Sequence, residues 1–213
     1  MAKPVRVAIV LHGDYGNSED IRSWASEADY VVAADGAADV LLELGITPDK
    51  VIGDMDGIRA DTIQELPPDS VITEEDQNTT DFQKASAFVK KNFSGASVAV
   101  LNYEGSRLDH VLSTLFSAEP WMHFVGQQAV GHVLDVGDHS IATELNTRVS
   151  LLPLPKAALT RTEGLLYDAS GLTLEIGGRD GVSNEATADE ILISIASGRL
   201  IAFVQSFEGE PRW

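Results

Sequence analysis

Over roughly its first 130 residues the chain repeats one grammatical unit: a short β-rich apolar run, a loop carrying Gly and Asp, then an amphipathic helical stretch. That alternation constrains the fold more than any other feature. Val5 to Leu11 opens onto His12-Gly13-Asp14, and Asn17 with Asp20 predicts a helix to about Ala25. DYVVAADG reads as a buried strand ending in Asp35-Gly36, and AADVLLELG as a helix stopped by Gly45 with Pro48 beyond. Val51-Ile52 leads into the loop Gly53 to Asp56, followed by a short helix from Ala60 to Glu65 that Pro67-Pro68 closes. Ser70 to Thr73 is a further strand. Thr80 with Gln83 predicts a capping box for the helix FQKASAFVKKNF. SVAVLNYEG and RLDHVLSTLFSA complete the series as strand and helix. The expected fold is an α/β N-terminal domain with a mostly parallel sheet, in which ligands bind outside the carboxyl ends of the strands. Four polar loops, at His12-Gly13, Asp35-Gly36, Gly53 to Asp56 and Asn102 to Arg107, then fall on one rim.

After Val136 helical periodicity disappears. RVSLLPL, LTLEI, EILISIA and RLIAFVQ are separated by Gly, Pro, Ser and Asn, which predicts a smaller all-β C-terminal domain, with boundaries at 1–135 and 136–213. Ser197-Gly198 between two apolar runs predicts a tight hairpin. With 33 acidic against 15 basic residues and a formal charge of -18, the chain is not built for nucleic acid or an anionic membrane. Cysteine is absent, which removes thiol nucleophiles and zinc-thiolate clusters, and the five histidines lack ligand spacing. The apolar run of MAKPVRVAIVLHG is too short for a membrane span, so a cytoplasmic protein is expected.

The chemistry-bearing stretch is VIGDMDG, where Asp54 and Asp56 stand between two glycines. Two carboxylates so close repel unless a cation or water separates them, and hard oxygen donors of this kind suit Mg²⁺. Alone, the pattern is more often that of an acidic surface turn. DQNTTDFQK adds Asp76 and places Asp81 in the first turn of a helix, beside Thr80 and free backbone N–H groups. EGSRLDH supplies Arg107, a guanidinium suited to phosphate, with Asp109 and His110.

ADGAA, GITPDKVIGDMDGI, DQNTTDFQKA, SRLDH and VSNEAT occur in an order and spacing that resembles the thiamin pyrophosphokinase family across nearly the whole chain. The resemblance implies an α/β domain, a β-sandwich C-terminal domain and a homodimer whose active sites draw on both chains. It also implies Mg²⁺-dependent transfer of pyrophosphate from ATP to the hydroxyl of thiamin, releasing AMP. It puts Asp54, Asp56 and Asp81 at the metal and triphosphate, with Asp35-Gly36 on the same rim and Asp76 a weaker member. Thr80, Arg107, Asp109 and His110 match nucleotide positions, and Gln77, Ser183 and Asn184 match positions facing thiamin.

The family's usual motifs are altered at several points. This chain has DGAA for DGGA, Gly57 where a Ser is usual, Asn78 where an Asp is usual, and Tyr103-Glu104 in a turn normally made of small residues. Rival readings are a pyrophosphokinase acting on a hydroxymethyl pterin, a haloacid-dehalogenase-like phosphatase suggested by DMDG, and a thiamin- or nucleotide-binding module without turnover. Trp213 is a candidate aromatic clamp that no motif aligns.

Overall fold

The computed structural model describes residues 3–13 and 18–205; the expectations placed on Asp14, Asn17 and Trp213 lie outside these. The described residues divide into two units, one running to Gln127 and one from Gln128 onward. The division falls eight residues ahead of the expected 135/136 boundary. The strand Ala129–Leu134 accounts for the difference, because it pairs antiparallel with the last strand of the chain and so belongs to the β unit.

In the first unit the strands are β1 (Arg6–Val10), β2 (Tyr30–Ala34), β3 (Lys50–Gly53), β4 (Val71–Thr73), β5 (Ser97–Leu101) and β6 (Met122–Val125). Their order is β4-β3-β2-β1-β5-β6, and each adjacent pair is parallel. Helices α1 (Ser18–Glu27), α2 (Ala37–Glu43), α3 (Ala60–Glu65), α4 (Asp81–Asn92) and α5 (Leu108–Phe116) occupy the connections. α1 packs on β1, α2 on β2, and α4 across β1, β2 and β3. Val7 to Val10 and Val98 to Val100 are wholly buried, as expected of central strands covered on both faces. The order of the strands reverses between β1 and β5. At that point Asn102, buried and at φ +56°, donates its amide N–H to the carbonyls of Leu11 (2.8 Å) and Gly13 (3.3 Å), stitching the two strand-end loops together.

Tyr103 and Glu104, the bulky departures from a small-residue turn, have a structural use. Tyr103 is buried edge-on to Phe124 with ring centroids 5.3 Å apart, and Glu104 accepts the Gln127 N–H at 3.0 Å. They fill the space between the ends of β5 and β6, and Gly126 is required there because a side chain would run into both.

The second unit comprises β7 (Ala129–Leu134), β8 (Gly137–Ala142), β9 (Arg148–Glu163), β10 (Thr173–Glu175), β11 (Gly181–Glu185) and β12 (Glu190–Gln205). All pairings are antiparallel: β12 lies along β9, its first half also pairs with β8 and its second half with β7, while β10 and β11 add to β9. One apolar core, including Leu151, Leu174, Ile191, Ile193 and Leu200, fills the unit. The hairpin expected at Ser197-Gly198 is absent. Those residues lie inside the 16-residue β12, which shifts register against β9 between Gly198 and Leu200 rather than reversing. Gly198 is needed for the close approach: its φ is +83°, and a Cβ would collide with the Lys156 carbonyl. No helix among the described residues is long and apolar enough to cross a membrane.

The capping box at α4 forms as expected. Thr80 Oγ1 accepts the Gln83 N–H (3.3 Å) and Gln83 Oε1 accepts the Thr80 N–H (2.9 Å). Replacing Thr80 with Ala should cost about 1 kcal/mol of unfolding free energy, read as a lowered urea midpoint at unchanged m-value.

Candidate functional site

Because β1 to β6 are parallel, their carboxyl ends share one edge, and the acidic residues of the sequence motifs collect on it. Asp35 follows β2 directly. Its backbone is in the left-handed region at φ +45°, and its N–H donates to the Ile52 carbonyl, which ties it to the end of β3. Its side chain is only 7% exposed: Oδ2 accepts the Gly57 N–H at 2.9 Å, while Oδ1 is buried with no partner.

The two glycines of VIGDMDG are explained by that carboxylate. A Cβ on Gly53 would sit 2.8 Å from the Asp35 Cβ, and one on Gly57 would overlap Asp35 Oδ2. The usual serine at position 57 therefore cannot coexist with Asp35 in this rotamer. Gly57 supplies a backbone donor in its place.

Between the glycines, the loop turns through Met55 at φ +66° and brings Asp54 and Asp56 beside Asp35. Each of the three offers a carboxylate oxygen, and these oxygens lie within 4.8 Å of one another. Asp54 Oδ2 accepts from Gln77 Nε2 at 3.0 Å, which holds Asp54 below the usual carboxylate range, helped by the Asp56 N–H. The charge of Asp54 pushes Asp56 upward in turn. Burial raises Asp35, with the charge of Asp81 adding to it, against the lowering influence of the nearby Gly36 and Gly57 backbone N–H groups. Three oxygens converging with one lone-pair acceptor orphaned and buried is an unfavourable arrangement that a hard cation would relieve. The donor set is all oxygen, which suits Mg²⁺ better than a softer metal.

The other motif residues take distinct places. Asp81, at the start of α4, is not one of the three converging carboxylates; its Oδ1 is 3.0 Å from the ammonium of Lys84. Gln77, matched by resemblance to the thiamin side, spends its amide N–H on Asp54. Asp76 accepts from the backbone and side chain of Asn78 (3.0 and 2.8 Å) and from Thr79 Oγ1 (2.9 Å). An Asp at 78 would face Asp76 with a second carboxylate, so Asn78 suits this loop. Arg107 stands at the N-cap position of α5 without a side-chain capping bond and pairs with Asp109 at 2.6 Å, both well exposed, and His110 is exposed beside them.

In the second unit Ser183 is exposed at φ +63°, with its N–H donating to Ser150 Oγ. Asn184 is buried, and both ends of its amide are engaged. Oδ1 accepts the N–H groups of Tyr167 (3.0 Å) and Glu185 (2.8 Å), and Nδ2 donates to the Tyr167 carbonyl (2.7 Å). Asn184 thus fixes the backbone of Tyr167, whose ring is 66% exposed. Lys84 and Asn102 are the functional candidates that the motif reading missed. Lys84 could have been found as a charged residue on the buried stripe of an amphipathic helix; Asn102 carries no comparable local signal.

A parallel α/β unit whose strand ends gather three carboxylates is followed by an antiparallel β unit. Residues 21–126 match the family model described as thiamin pyrophosphokinase, catalytic domain, and residues 138–200 match thiamin pyrophosphokinase, vitamin B1 binding domain. The chain belongs to the thiamin pyrophosphokinase family. The fold is similar to that of the thiamine pyrophosphokinase of Bacillus subtilis (TM-score 0.79, 21% identity, covering 94% of this chain and 99% of that one). It is also similar to the enzyme of Geobacillus thermodenitrificans (0.79, 24%, 96% and 99%) and that of Candida albicans (0.81, 18%, 96% and 90%). A sequence search of curated proteins found no significant match.

Two substitutions test the Asp35 slot. Gly57→Ala should push the carboxylate aside and weaken Mn²⁺ binding about tenfold or more, measured by calorimetry. Asp35→Asn should raise the stability of the metal-free protein while weakening Mn²⁺ binding. The folded-state pKa of Asp35 lies above its unfolded value, so ionisation in the fold opposes stability as pH rises through that window, and the cost is complete above the raised value. In chelator-treated protein, Asp35→Asn should be more stable than wild type at pH 7 by urea denaturation, an advantage that disappears below the ordinary carboxylate pKa of about 3.9, while its Mn²⁺ affinity falls.

Proposed function

We propose that this chain is a thiamin pyrophosphokinase, which transfers pyrophosphate from ATP to the hydroxyl of thiamin to give thiamin diphosphate and AMP. The observation that carries the reading is the pocket of Asp35, Asp54 and Asp56, with its orphaned Asp35 oxygen, inside the segment matched by the catalytic-domain model. These three carboxylates would hold Mg²⁺. When bound, the ion neutralises phosphate charge and helps fix the triphosphate for in-line displacement.

The residues of the chain do the positioning. Asp54 is oriented by Gln77, and Asp35 by Gly57. Arg107, with Thr80, Asp109 and His110, is assigned to the nucleotide, and engagement of phosphate by Arg107 requires it to exchange Asp109 for the ligand. The motif resemblance assigns Gln77, Ser183 and Asn184 to thiamin, and Asn184 fixes the Tyr167 backbone. In the displacement the thiamin hydroxyl oxygen bonds to the β-phosphorus, the bond from that phosphorus to the bridging oxygen breaks, and AMP departs with that oxygen while the hydroxyl loses its proton. No protein nucleophile is needed.

The C-terminal unit is read as the thiamin-binding β-sandwich, and the chain as a cytoplasmic homodimer with shared active sites. The motif resemblance supports this, together with the vitamin B1 binding-domain match and the cysteine-free acidic composition.

Incubation with ATP, Mg²⁺ and thiamin should give thiamin diphosphate and AMP in equal amounts, resolved chromatographically; ADP, free phosphate or no product would sink the proposal. Asp54→Asn and Asp56→Asn should each lower kcat at least about 100-fold while leaving the circular dichroism spectrum unchanged.

A further inference from the structure

His12 follows β1, beside which the strand order of the first unit reverses, so it stands at the mouth of the crevice where folds of this kind take their ligands. An exposed histidine at a strand end is ordinarily a solvated surface group. Two features set this one apart. The first is a fixed backbone on both sides: the buried Asn102 amide donates to the carbonyls of Leu11 (2.8 Å) and Gly13 (3.3 Å), and the Leu11 N–H donates to the Leu101 carbonyl (3.0 Å). Gly13 meets its neighbours backbone to backbone, since a Cβ there would overlap the carbonyl oxygens of Asn102 and Glu104.

The second is the slot in which the ring lies. A Cβ on Gly36 would fall 2.6 Å from His12 Nδ1, 3.1 Å from its Cε1 and 2.8 Å from the Gly57 carbonyl oxygen. The backbone carbonyl bars a side chain at position 36, and the imidazole occupies the space so left. Its Nδ1 edge therefore rests against the residue after Asp35 and close to the residue after Asp56, while Nε2 is farther from Gly36 than either of the two ring atoms named. Among the described residues no hydrogen bond or ion pair engages the ring, which is exposed.

Uncommitted donors are scarce at this rim. Lys84 is spent on Asp81, Arg107 on Asp109, and His110 lies near Asp109 as well. A triphosphate approaching Asp35, Asp54 and Asp56 meets like charge and needs donors already held in place. His12 is such a donor, and its Nε2 can donate both as the imidazolium and as the Nε2–H tautomer, so the role does not depend on its charge. We propose that His12 is a substrate-binding residue whose Nε2 donates to a phosphate oxygen of the bound nucleotide. This rests on reading the chain as an ATP-dependent pyrophosphokinase, and adds the loop after β1 to the residues that hold the triphosphate.

The test is calorimetric titration of the full chain, in the presence of Mg²⁺, with α,β-methylene-ATP, whose bridging carbon prevents release of AMP. His12→Ala and His12→Phe should each bind the analogue about tenfold more weakly than wild type, because both lose the donor. His12→Gln, which returns an amide N–H near the position of Nε2, should stay within about threefold. Inorganic tripolyphosphate should be weakened by the same factor as the analogue, which places the contact on phosphate and not on adenosine. In steady-state assays the KM for ATP should rise in His12→Ala while the KM for thiamin is unchanged. A ring that only fills the slot would be replaced by Phe without loss of nucleotide affinity, and that result overturns the assignment. Unaltered binding in His12→Ala, an effect confined to thiamin, or tripolyphosphate binding that ignores the substitution would overturn it too. Should His12→Ala fail to fold by circular dichroism, the Phe and Gln variants decide the matter. Wild type that binds no analogue also removes the role of His12, whereas wild type that binds it but forms no thiamin diphosphate removes the proposed reaction and leaves the phosphate contact to be decided by the variant affinities.

Discussion

The seating of one carboxylate governs the site. Asp35 leaves β2 in a left-handed conformation, drops between Gly53 and Gly57, and is held there by a single backbone N–H with one oxygen left over. Everything nearby follows from that slot. β3 must end in glycine, the loop after it must turn through Met55, and Asp54 and Asp56 are delivered to the open side of Asp35. Charge concentrated in this way is unfavourable by itself, and a hard cation would relieve it.

The surrounding polar residues distribute that charge. Gln77 favours the ionised form of Asp54, the Asn78 and Thr79 donors satisfy Asp76, and Lys84 takes up Asp81. None of these contacts is strong by itself. Together they keep the carboxylates of the pocket oriented differently, so that they do not act as an undifferentiated negative patch.

Departures that look damaging on a motif reading become intelligible in three dimensions. Gly57 is a steric necessity once Asp35 occupies its rotamer, Asn78 avoids a second carboxylate against Asp76, and Tyr103-Glu104 fill the gap beside Gly126. The same holds in the β unit. Ser197-Gly198 has the local chemistry of a hairpin, yet the pairing of β12 with β9 on both sides of it keeps the strand running, and the glycine serves a register shift instead. Asn184 was legible as a motif residue but not as the clamp on the Tyr167 backbone, since that requires two segments 17 residues apart to meet.

The sequence by itself determined the alternation of strands and helices, the capping box at Thr80, the change to β structure and the stretches that carry the acidic chemistry. These are local properties, written in apolar period, in turn residues and in spacing along the chain. Only the tertiary structure decided which carboxylates share a point in space, that Asp35 joins Asp54 and Asp56 while Asp81 turns to Lys84, and where each unit begins. The reason is physical. Charge repulsion and steric exclusion act over a few ångströms through space, and residues 35, 57 and 81 come within that range only after β2, β3 and α4 have packed together.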